Sequence, residues 1–455
     1  MSDATPALTV DGLAALIASN KIDTVVVGIT DMQGRLQGKR FAAAHFLEET
    51  VDRGTEGCNY LLAVDVDMNT VPGYAMASWE RGYGDFFMVP DLSTLRLLPW
   101  HPGTAFCMAD VRWADGSPVV ASPRHILQRQ TERLAAHGWH ALAATELEFI
   151  VFNDTFEHAW QAGYRNLTPA NLYNVDYSLF GTGRVEPLLR RIRNEMAGAG
   201  MWVESVKGEC NFGQHEIAFR YTEPVVKADE HSLFKMSAKE IAAQEGRSIT
   251  FMAKYDAREG NSCHIHISLR DDSGQPVFAG PRDHGFSEVF EQFMAGLLAT
   301  LPELTLFVAP NINSYKRFVT GSFAPTALAW GHDNRSCALR VVGHQPSSLR
   351  VECRVPGADV NPYLALSAIV AGGLFGIEKG LELEPEFVGN AYASDKPRLP
   401  TNLREAAGLF ATSQVARDAF GDEVVAHYAN MARVELDAFD ATVTDWERYR
   451  GFERL

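Results

Sequence analysis

The chain has 455 residues, 46% of them hydrophobic and 22% charged, which favours a globular protein of about two to four domains. Its formal net charge of −16 argues against the basic surface that binds nucleic acids or anionic membranes, so we expect neither partner. The six cysteines form no CxxC pair, the N-terminal residues show neither the basic start nor the long apolar core from which a signal peptide is predicted, and the longest apolar run (363–377) is short for a membrane span. These features predict a cytoplasmic protein with reduced thiols.

The N-terminal part predicts a small α+β domain. VDGLAALIASNK (10–21) has the pattern of a short amphipathic helix, and residues 23–41 predict a hairpin around the MQG turn. Residues 51–110 alternate short strand-like pieces with loops rich in glycine and proline. We therefore place a domain boundary near 115, which divides the chain into residues 1–115 and 116–455.

The remainder alternates strands and helices, beginning with residues 115–127, which lead into a helical pattern that runs to about 137. The predicted strands are 143–152, two within 202–220, two within 249–269, 336–343 and 348–355. The predicted helices are 185–200, 225–245, 286–302, 361–379 and most of the chain from about 402.

The stretch ATELEFIVF (144–152) carries two carboxylates on an apolar strand. Because alternate residues of a strand face opposite sides, Glu146 and Glu148 share one face while Leu147 and Phe149 share the other. Two anions with no visible cation are costly inside a protein, so the pair suggests a bound cation. Taken alone, however, such a pair is more often a solvated strand face, and the argument depends on other segments.

Three further segments repeat this separation of polar and apolar faces, in NSCHIHISL (261–269), LRVECRVP (349–356) and GECNFGQHEIAFR (208–220). The polar members are His264, His266 and Ser268; Arg350, Glu352 and Arg354; and Gln214 and Glu216, with Glu209 seven residues before Glu216. Four such segments predict a curved sheet with a packed back and a polar, ligand-binding front.

The front face would gather five glutamates and two histidines, which are Glu146, Glu148, Glu209, Glu216, Glu352, His264 and His266. Carboxylates cannot crowd together without cations. A set dominated by carboxylates, with few imidazoles and no thiolate pair, suits Mg²⁺ or Mn²⁺ better than Zn²⁺. The size of the set indicates two or more ions, as in phosphoryl-transfer sites.

Arginines follow in the same part of the chain, at Arg317, Arg335, Arg340, Arg350 and Arg354. Arginine binds carboxylates and phosphates bidentately, so metals and arginines together predict a polyanionic substrate such as a nucleoside triphosphate. The sequence contains neither a GxxxxGK[ST] loop nor a kinase signature. The residues alone therefore predict a two-metal, ATP-dependent transferase or hydrolase.

Six motifs, in family order, resemble the glutamine synthetase family from about residue 20 to 455. They are ATELEFIVF, GECNFGQHEI, GNSCHIHISL, NSYKRF…G…AP, DNRS…LR and VECRVPGADVNPY. The resemblance implies a β-grasp-like N-terminal domain and a catalytic domain with an antiparallel strand funnel flanked by helices. It also implies a double-ring homo-oligomer, expected to be a dodecamer, with active sites between neighbouring subunits. The implied reaction activates glutamate with ATP to γ-glutamyl phosphate, which an amine nitrogen then attacks.

The resemblance also implies a role for each matching residue. One metal ion would be held by Glu148, Glu209 and Glu216, and a second by Glu146, His264 and Glu352. Glutamate would contact Gly260, Arg317 and Arg354. Arg335 and Arg340 would act on the ATP phosphates and the transferring group, and the nucleotide would contact Glu204, Tyr221, His266, Ser268, Arg340 and Arg350.

Two departures from the family pattern concern the nitrogen donor. Glutamine-forming members carry Arg-x-x-x-Gly-x-Glu, whose glutamate helps to take a proton from bound ammonium. Here the segment is RFVTGSF, which puts Phe323 at that position. The Asp-Gly-Ser-Ser loop of those members has no clear counterpart in EGCNYLLAVDVDMN (56–69), where Asp65 and Asp67 are more plausibly structural.

The loss of acidic groups predicts an organic amine in place of ammonium, with Phe323 in the amine pocket. A polyamine would require several carboxylates, so we expect a short primary amine. The chain looks most similar to the actinobacterial ethanolamine-type members, and γ-glutamylethanolamide is therefore the expected product. The alternatives are a γ-glutamylpolyamine synthetase, a true glutamine synthetase, and a catalytically retired scaffold or sensor, although all six matched metal ligands are present.

Two smaller departures and one loop tyrosine remain. Val206, Lys207 and Gly208 replace three histidines, which puts one nucleotide contact in doubt. Glu259-Gly260-Asn261-Ser262 replaces Asn-Gly-Ser-Gly, which puts the contact to the glutamate α-amino group in doubt. Tyr392 lies near a position that some members adenylylate, but an ordinary loop tyrosine is the stronger interpretation.

Overall fold

The N-terminal sheet has six strands in the computed structural model, which describes residues 8–455. The strand order is β2-β1-β6-β4-β3, with β5 also paired to β6; β1 and β6 run parallel and the other pairs run antiparallel. The strands are β1 Thr24–Thr30, β2 Leu36–Ala42, β3 Thr55–Cys58, β4 Asp85–Pro90, β5 Arg96–Leu97 and β6 Thr104–Arg112.

The second sheet has eight strands and curves into a nearly closed funnel. Its order is β12-β13-β14-β11-β7-β9-β8, with β10 also paired to β7. All its pairs are antiparallel except β12 with β13, so the predicted antiparallel funnel contains one parallel pair at its edge. The strands are β7 Trp139–Phe152, β8 Val203–Gly208, β9 Gln214–Phe219, β10 Ser248–Thr250, β11 Cys263–Asp271, β12 Trp330–His332, β13 Leu339–Val342 and β14 Arg350–Cys353.

Strand register places the polar residues of this sheet beside one another. Glu146 on β7 pairs with His264 on β11, and Glu148 pairs with Glu216 on β9. Glu352 on β14 pairs with both His266 and Arg340. Because paired residues of antiparallel strands project from the same face, these side chains converge on the front of the sheet.

Helices pack against the other face of the funnel and supply most of the apolar core. Phe149 on β7, for example, contacts Phe234 and Phe251 behind the sheet. The helices are α1 Val10–Ala18, α2 Ala43–His45, α3 Val51–Arg53, α4 Pro123–Ala136, α5 Phe156–Gln161, α6 Leu179–Gly183, α7 Glu186–Gly198, α8 Pro224–Gln244, α9 Glu288–Val308, α10 Pro362–Lys379, α11 Leu403–Thr412, α12 Gln414–Phe420, α13 Asp422–Asp440 and α14 Asp445–Gly451. No helix within residues 8–455 is both long enough and apolar enough to cross a membrane.

A buried cluster of charged side chains connects the N-terminal part of the chain with helices α4 and α8. Arg124, near the start of α4, donates to Asp91 (2.6 Å) and Asp110 (2.5 Å) of the N-terminal part and to Asp229 (3.0 Å) on α8. Asn361 donates to the carbonyl oxygens of the β1–β2 turn, closing a second contact. The loop between β6 and α4 contains residue 115, and dividing the chain there remains our proposal.

Most predicted elements are present, and the differences have local causes. β7 begins four residues earlier than predicted, and β12 was not predicted because three residues carry too short a pattern. α9 continues past Pro302 to Val308, since Leu304, Leu306 and Phe307 are buried beyond it. All six cysteines lie within the described residues and are free thiols; we expected all of them to be buried, but Cys58 and Cys210 are only partly buried.

Candidate active site

Two cavities lie along the front of the second sheet. The first, here called the acidic cavity, has a volume of about 490 Å³, and the second cavity about 500 Å³. Glu146 lines both, so its carboxylate stands at their junction. A ligand that extends through both cavities would therefore pass this carboxylate.

All six predicted metal ligands line the acidic cavity. Glu148, Glu209 and Glu216 each place a carboxylate oxygen within 4.8 Å of the others. Nδ1 of His264 lies 3.4 Å from Glu146 and 3.5 Å from Glu352. The structure thus brings both predicted ligand groups together.

The acidic cavity holds its carboxylates in unequal electrostatic settings. Burial, together with the charge of Glu146, raises the pKa of Glu216 to about 8. Burial would also raise the pKa of Glu352, but His264 and Arg354 lower it to about 2. For Glu146, hydrogen bonds with His264 and His266 outweigh burial, and its pKa lies well below the usual value. At neutral pH the carboxylates of Glu146 and Glu352 are therefore ionised, whereas Glu216 keeps its proton.

The residues fit divalent cations. Burial and Arg354 lower the pKa of His264, which keeps its imidazole neutral and able to ligate. Its buried Nε2 atom has no hydrogen-bond partner. Clustered carboxylates with one neutral imidazole form a donor set suited to hard divalent ions.

Lys207 supplies a cation inside the acidic cavity. Its Nζ atom pairs with Glu209, lies 3.7 Å from Glu216 and stands 4.9 Å from the centre of the Tyr177 ring. The sequence marked Lys207 only as the replacement of a histidine. Its ion pairs depend on the hairpin of β8 and β9, whose register the sequence did not establish.

Five of the residues predicted to contact the nucleotide do not line the acidic cavity. All five line the second cavity, and they are Glu204, Tyr221, His266, Ser268 and Arg350. Nε of Arg350 donates to Nδ1 of His266 (3.2 Å), so Nδ1 is an acceptor and Nε2 carries the proton. That Nε2 lies 3.0 Å from Glu146. The chain Arg350–His266–Glu146 therefore links the two cavities.

Three of the predicted arginines line the acidic cavity: Arg335, Arg340 and Arg354. Arg340 donates to Glu352 (2.8 Å) and to Asp333 (2.9 Å). Arg354 also donates to Glu352 and to the carbonyl oxygen of Phe323 (3.2 Å). Glu352 thus holds two of the three guanidinium groups in place.

Arg317, predicted to bind glutamate, lies behind the wall of the acidic cavity. It is almost completely buried and is absent from the lining of the acidic cavity. Its guanidinium donates to Ser262 Oγ (3.1 Å) and to the carbonyl oxygens of Arg354 (3.2 Å) and Val355. Arg317 therefore stands behind Ser262, which itself lines the cavity.

Gly260 lines the acidic cavity at a point where a side chain would not fit. A Cβ atom there would lie 2.2 Å from the carbonyl oxygen of Ala253 and 2.8 Å from Cγ of Arg317. Glycine lets the backbone pass close to Ala253 and Arg317 at this point of the cavity wall.

Phe323 also lines the acidic cavity, and 56% of its surface is exposed. Its φ of 59° is unusual for a bulky residue and is associated with functional sites. Phe323 therefore contributes an apolar side chain to a cavity that is otherwise lined mostly by polar residues.

Sequence reasoning missed several residues that line this cavity, among them Asp176, Tyr177, Cys210 and Glu259. Asp176 and Tyr177 come from the irregular segment before α6, which carries no periodic pattern. Gln214 was noticed only as a neighbour of Glu216; its amide donates to Glu148 (3.0 Å) and to Gly260 (2.9 Å). Only long-range contacts bring these side chains to the site.

Comparison with known proteins identifies the family. The family model described as glutamine synthetase, catalytic domain, matches residues 120–450. The chain belongs to the glutamine synthetase family. Enzymes of this family are ATP-dependent and use divalent metal ions.

Two relatives within the glutamine synthetase family are similar along nearly their whole length. Gamma-glutamylethanolamide synthetase GlnA4 of Streptomyces coelicolor is 66% identical over 455 residues, covering 100% of this chain and 98% of the relative. Glutamate–isopropylamine ligase of a Pseudomonas species is 38% identical, covering 95% and 96%. Among solved structures, the ADP complex of GmaS superposes with a TM-score of 0.85 at 27% identity, covering 97% of this chain and 99% of that one.

Proposed function

We propose that the protein is an ATP-dependent ligase that joins the γ-carboxyl group of glutamate to a small primary amine, with ethanolamine as the preferred amine. The observation that supports this function most directly is that Phe323, an apolar residue, lines the same cavity as all six predicted metal ligands. The ligands support ATP chemistry, and the phenyl ring suits the carbon part of an organic amine.

ATP binding is proposed to extend from the second cavity into the acidic cavity. Glu204, Tyr221, Ser268 and Arg350 would contact the nucleoside end, and the phosphates would pass Glu146. Divalent ions, Mg²⁺ or Mn²⁺, would be held by Glu148, Glu209 and Glu216 and by Glu146, His264 and Glu352. When bound, such ions neutralise phosphate charge and align the triphosphate for in-line transfer.

In the first step, a γ-carboxylate oxygen of glutamate attacks the γ-phosphorus of ATP, ADP leaves and γ-glutamyl phosphate forms. Arg335 and Arg340, on the cavity wall, would stabilise the charge on the transferring phosphoryl group. Gly260 and Arg354 would contact glutamate directly. Arg317 would act through Ser262, which its guanidinium holds at the cavity surface.

In the second step, the amine nitrogen attacks the acyl carbon, phosphate leaves and the nitrogen loses a proton. Phe323 and Tyr177 would enclose the carbon chain of the amine. Asp176 is our candidate for the group that attracts the protonated amine and accepts a proton, because its carboxylate lies within 4.8 Å of Glu209 and Cys210 at the cavity wall. This assignment gives a carboxylate to the amine even though Phe323 replaces an acid.

The choice of ethanolamine rests on the 66% identity to the Streptomyces coelicolor enzyme named for that product. A short branched alkylamine is the second candidate, since the Pseudomonas relative named for isopropylamine is 38% identical. A polyamine would require more negative charge near the apolar ring, and ammonium has no carbon part for that ring to contact.

We further propose that the chain self-associates into the double-ring oligomer typical of the family, expected to be a dodecamer. The C-terminal segment supports this, because Trp446, Tyr449, Phe452 and Leu455 are all exposed in the single chain. Apolar side chains clustered in one short segment favour burial against another copy.

The test is an initial-rate assay of phosphate release with ATP, glutamate and Mg²⁺, comparing ethanolamine, isopropylamine, putrescine, spermine and ammonium. We expect the largest kcat/KM with ethanolamine. Phe323→Glu should reduce kcat/KM for ethanolamine at least about tenfold and raise it for ammonium, since the carboxylate would attract the small cation. Val319→Glu, on the same exposed loop outside the cavity lining, is the matched control and should change neither.

Ammonium as the best substrate of the unmodified protein would make it a glutamine synthetase. No turnover with any amine, despite ATP binding, would indicate a retired scaffold.

A further inference from the structure

We propose a second metal centre on the surface of the protein, formed by His284, His332 and Glu386, that binds a first-row transition metal ion of the Zn²⁺ class. Each of these residues offers one ligand atom, and the three atoms lie within 4.8 Å of one another. None of the three lines the acidic cavity or the second cavity. The centre is therefore distinct from the ions proposed to take part in the ligase reaction.

The three ligands come from separate segments of the chain. His284 precedes α9, His332 ends β12, and Glu386 lies in the extended segment after α10. One oxygen of Glu386 accepts a hydrogen bond from the His332 backbone N–H (2.7 Å) and lies 3.0 Å from Nδ1 of His332. The two imidazole rings have their centres 4.7 Å apart.

An aromatic wall fixes the orientation of both imidazoles. Phe286 and Trp330 are buried, and the His332 ring stacks on Phe286 at 5.5 Å with an interplanar angle of 20°. The His284 ring meets Trp330 edge-on at 6.1 Å. These two contacts restrict the orientation of both imidazole rings.

His284 also has a strained backbone, with φ at 61°. This left-handed region is uncommon for residues other than glycine, although histidine, asparagine and aspartate adopt it more often than most side chains. Exposed loop residues elsewhere in the chain, such as Asn20 and Asn166, share a positive φ, so the metal centre is inferred from its three ligand atoms and not from this strain.

Donor chemistry selects the ion. Two imidazoles and one carboxylate match three-ligand zinc sites, in which water takes the fourth position. Mg²⁺ and Ca²⁺ prefer all-oxygen ligands and would bind this set weakly. The acidic cavity has the opposite preference, because carboxylates dominate each of its two ligand groups.

The ordinary alternative is a surface ion pair beside an aromatic cluster. The same chain contains such a pair in His140 and Asp272, which lie 2.9 Å apart. In the part of the chain that the structure describes, no third ligand joins that pair. It therefore provides an internal comparison for a histidine–carboxylate contact without a metal centre.

Metal binding would tie three segments together next to the acidic cavity. Asp333 directly follows His332 and accepts a hydrogen bond from Arg340 (2.9 Å). The ion would thus fix the end of β12 and stabilise the edge of the funnel.

The experiment is Zn²⁺ titration of the full-length protein by competition with a chromophoric chelator, under saturating Mg²⁺ so that the acidic cavity is occupied. We expect one Zn²⁺ per chain that His284→Ala and His332→Ala each abolish and that His140→Ala retains. Glu216→Gln, which alters the acidic cavity, should also retain it. X-ray absorption at the zinc edge should show two imidazole ligands in the unmodified protein and fewer in the two variants.

A Zn²⁺ stoichiometry that is the same in the unmodified protein, His284→Ala and His332→Ala would overturn the proposal. So would loss of the ion in Glu216→Gln with retention in His284→Ala, since that result would place it in the acidic cavity. Unchanged far-ultraviolet circular dichroism of each variant establishes that the fold is intact, which is expected because both histidines are exposed.

Discussion

At the scale of single residues, the candidate site is built from side chains whose spacing made them predictable and from others that only folding brings near. Glu146 and Glu148 could be predicted because strand alternation places them on one face, and the register then sets Glu146 beside His264. Asp176 and Tyr177 could not, since an irregular segment has no such period. The burial of Arg317 behind Ser262 also depends on packing that no local pattern encodes.

Substitution of Glu146 tests the proposed metal site directly. Glu146→Gln removes a charge at the junction of both cavities, so we expect Mn²⁺ affinity to fall at least about tenfold and ligase activity to fall with it. Mn²⁺ titration followed by electron paramagnetic resonance measures the loss. Glu186→Gln is the control, because Glu186 pairs with Arg193 on a surface helix; equal affinities for the two variants would argue against a ligand role for Glu146.

At the scale of secondary-structure elements, the long regular elements were predictable and the short or interrupted ones were not. β7 and β11 have clear alternation over many residues, whereas β12 has only three residues. The predicted end of α9 at residue 302 was wrong, and the helix continues to Val308. The buried apolar residues beyond Pro302 outweigh the hydrogen bond that proline removes. Contacts between elements, such as the cluster around Arg124, cannot be read from local pattern at all.

Arg124 is expected to be the most sensitive position of α4. Arg124→Leu would leave Asp91, Asp110 and the buried Asp229 without their shared cation, at a cost of about 3–5 kcal/mol in the free energy of unfolding. Arg133→Leu on the same helix removes a partly exposed ion pair with Glu378 and should cost about 0–1 kcal/mol. Urea unfolding measures both, and similar losses in the two variants would contradict the account.

The contact of α13 with the N-terminal part should make the free energy of unfolding depend on pH. Burial lowers the pKa of His427 to about 4, and its Nε2 lies 2.9 Å from Sδ of Met32. Between about pH 6.5 and 4 the unfolded chain therefore binds a proton at this site that the folded chain does not. The contribution of neutral His427 to the free energy of unfolding is complete above about pH 6.5. Within this window it falls by about 1.4 kcal/mol for each unit by which the pH falls.

His427→Phe should remove this part of the pH dependence while preserving a buried ring against Tyr74. Urea unfolding at pH 7 and pH 5 measures the difference, with the exposed His140→Phe as control. A pH dependence that is identical in His427→Phe and the unmodified protein would show that His427 does not titrate in this way.

At the scale of the whole molecule, the fold, the two adjoining cavities and family membership agree with a ligase that passes a phosphoryl group between ATP and glutamate. The resemblance already implied the fold, and the 66% identity along the full chain supports the amine that the sequence favoured. The surface used for assembly could not be predicted from the sequence in the same way. The residues proposed to contact a second copy are recognised only by their exposure in the folded chain.

The apolar C-terminal segment is expected to hold the oligomer together. Substituting Trp446, Tyr449 and Phe452 together with alanine should lower the molar mass measured by light scattering during size-exclusion chromatography. Arg448→Ala, in the same helix, should leave the mass unchanged. An unchanged mass in the triple variant would show that this segment is not needed for assembly.

The most direct test follows ¹⁸O from the γ-carboxylate of labelled glutamate during turnover with ATP, Mg²⁺ and ethanolamine. We predict that mass spectrometry will find γ-glutamylethanolamide and, in equal amount, phosphate carrying one ¹⁸O atom, because the γ-carboxylate oxygen that attacks ATP leaves with the phosphate. Unlabelled phosphate would contradict activation of the γ-carboxylate. Turnover with ammonium but none with ethanolamine would contradict the proposed amine specificity.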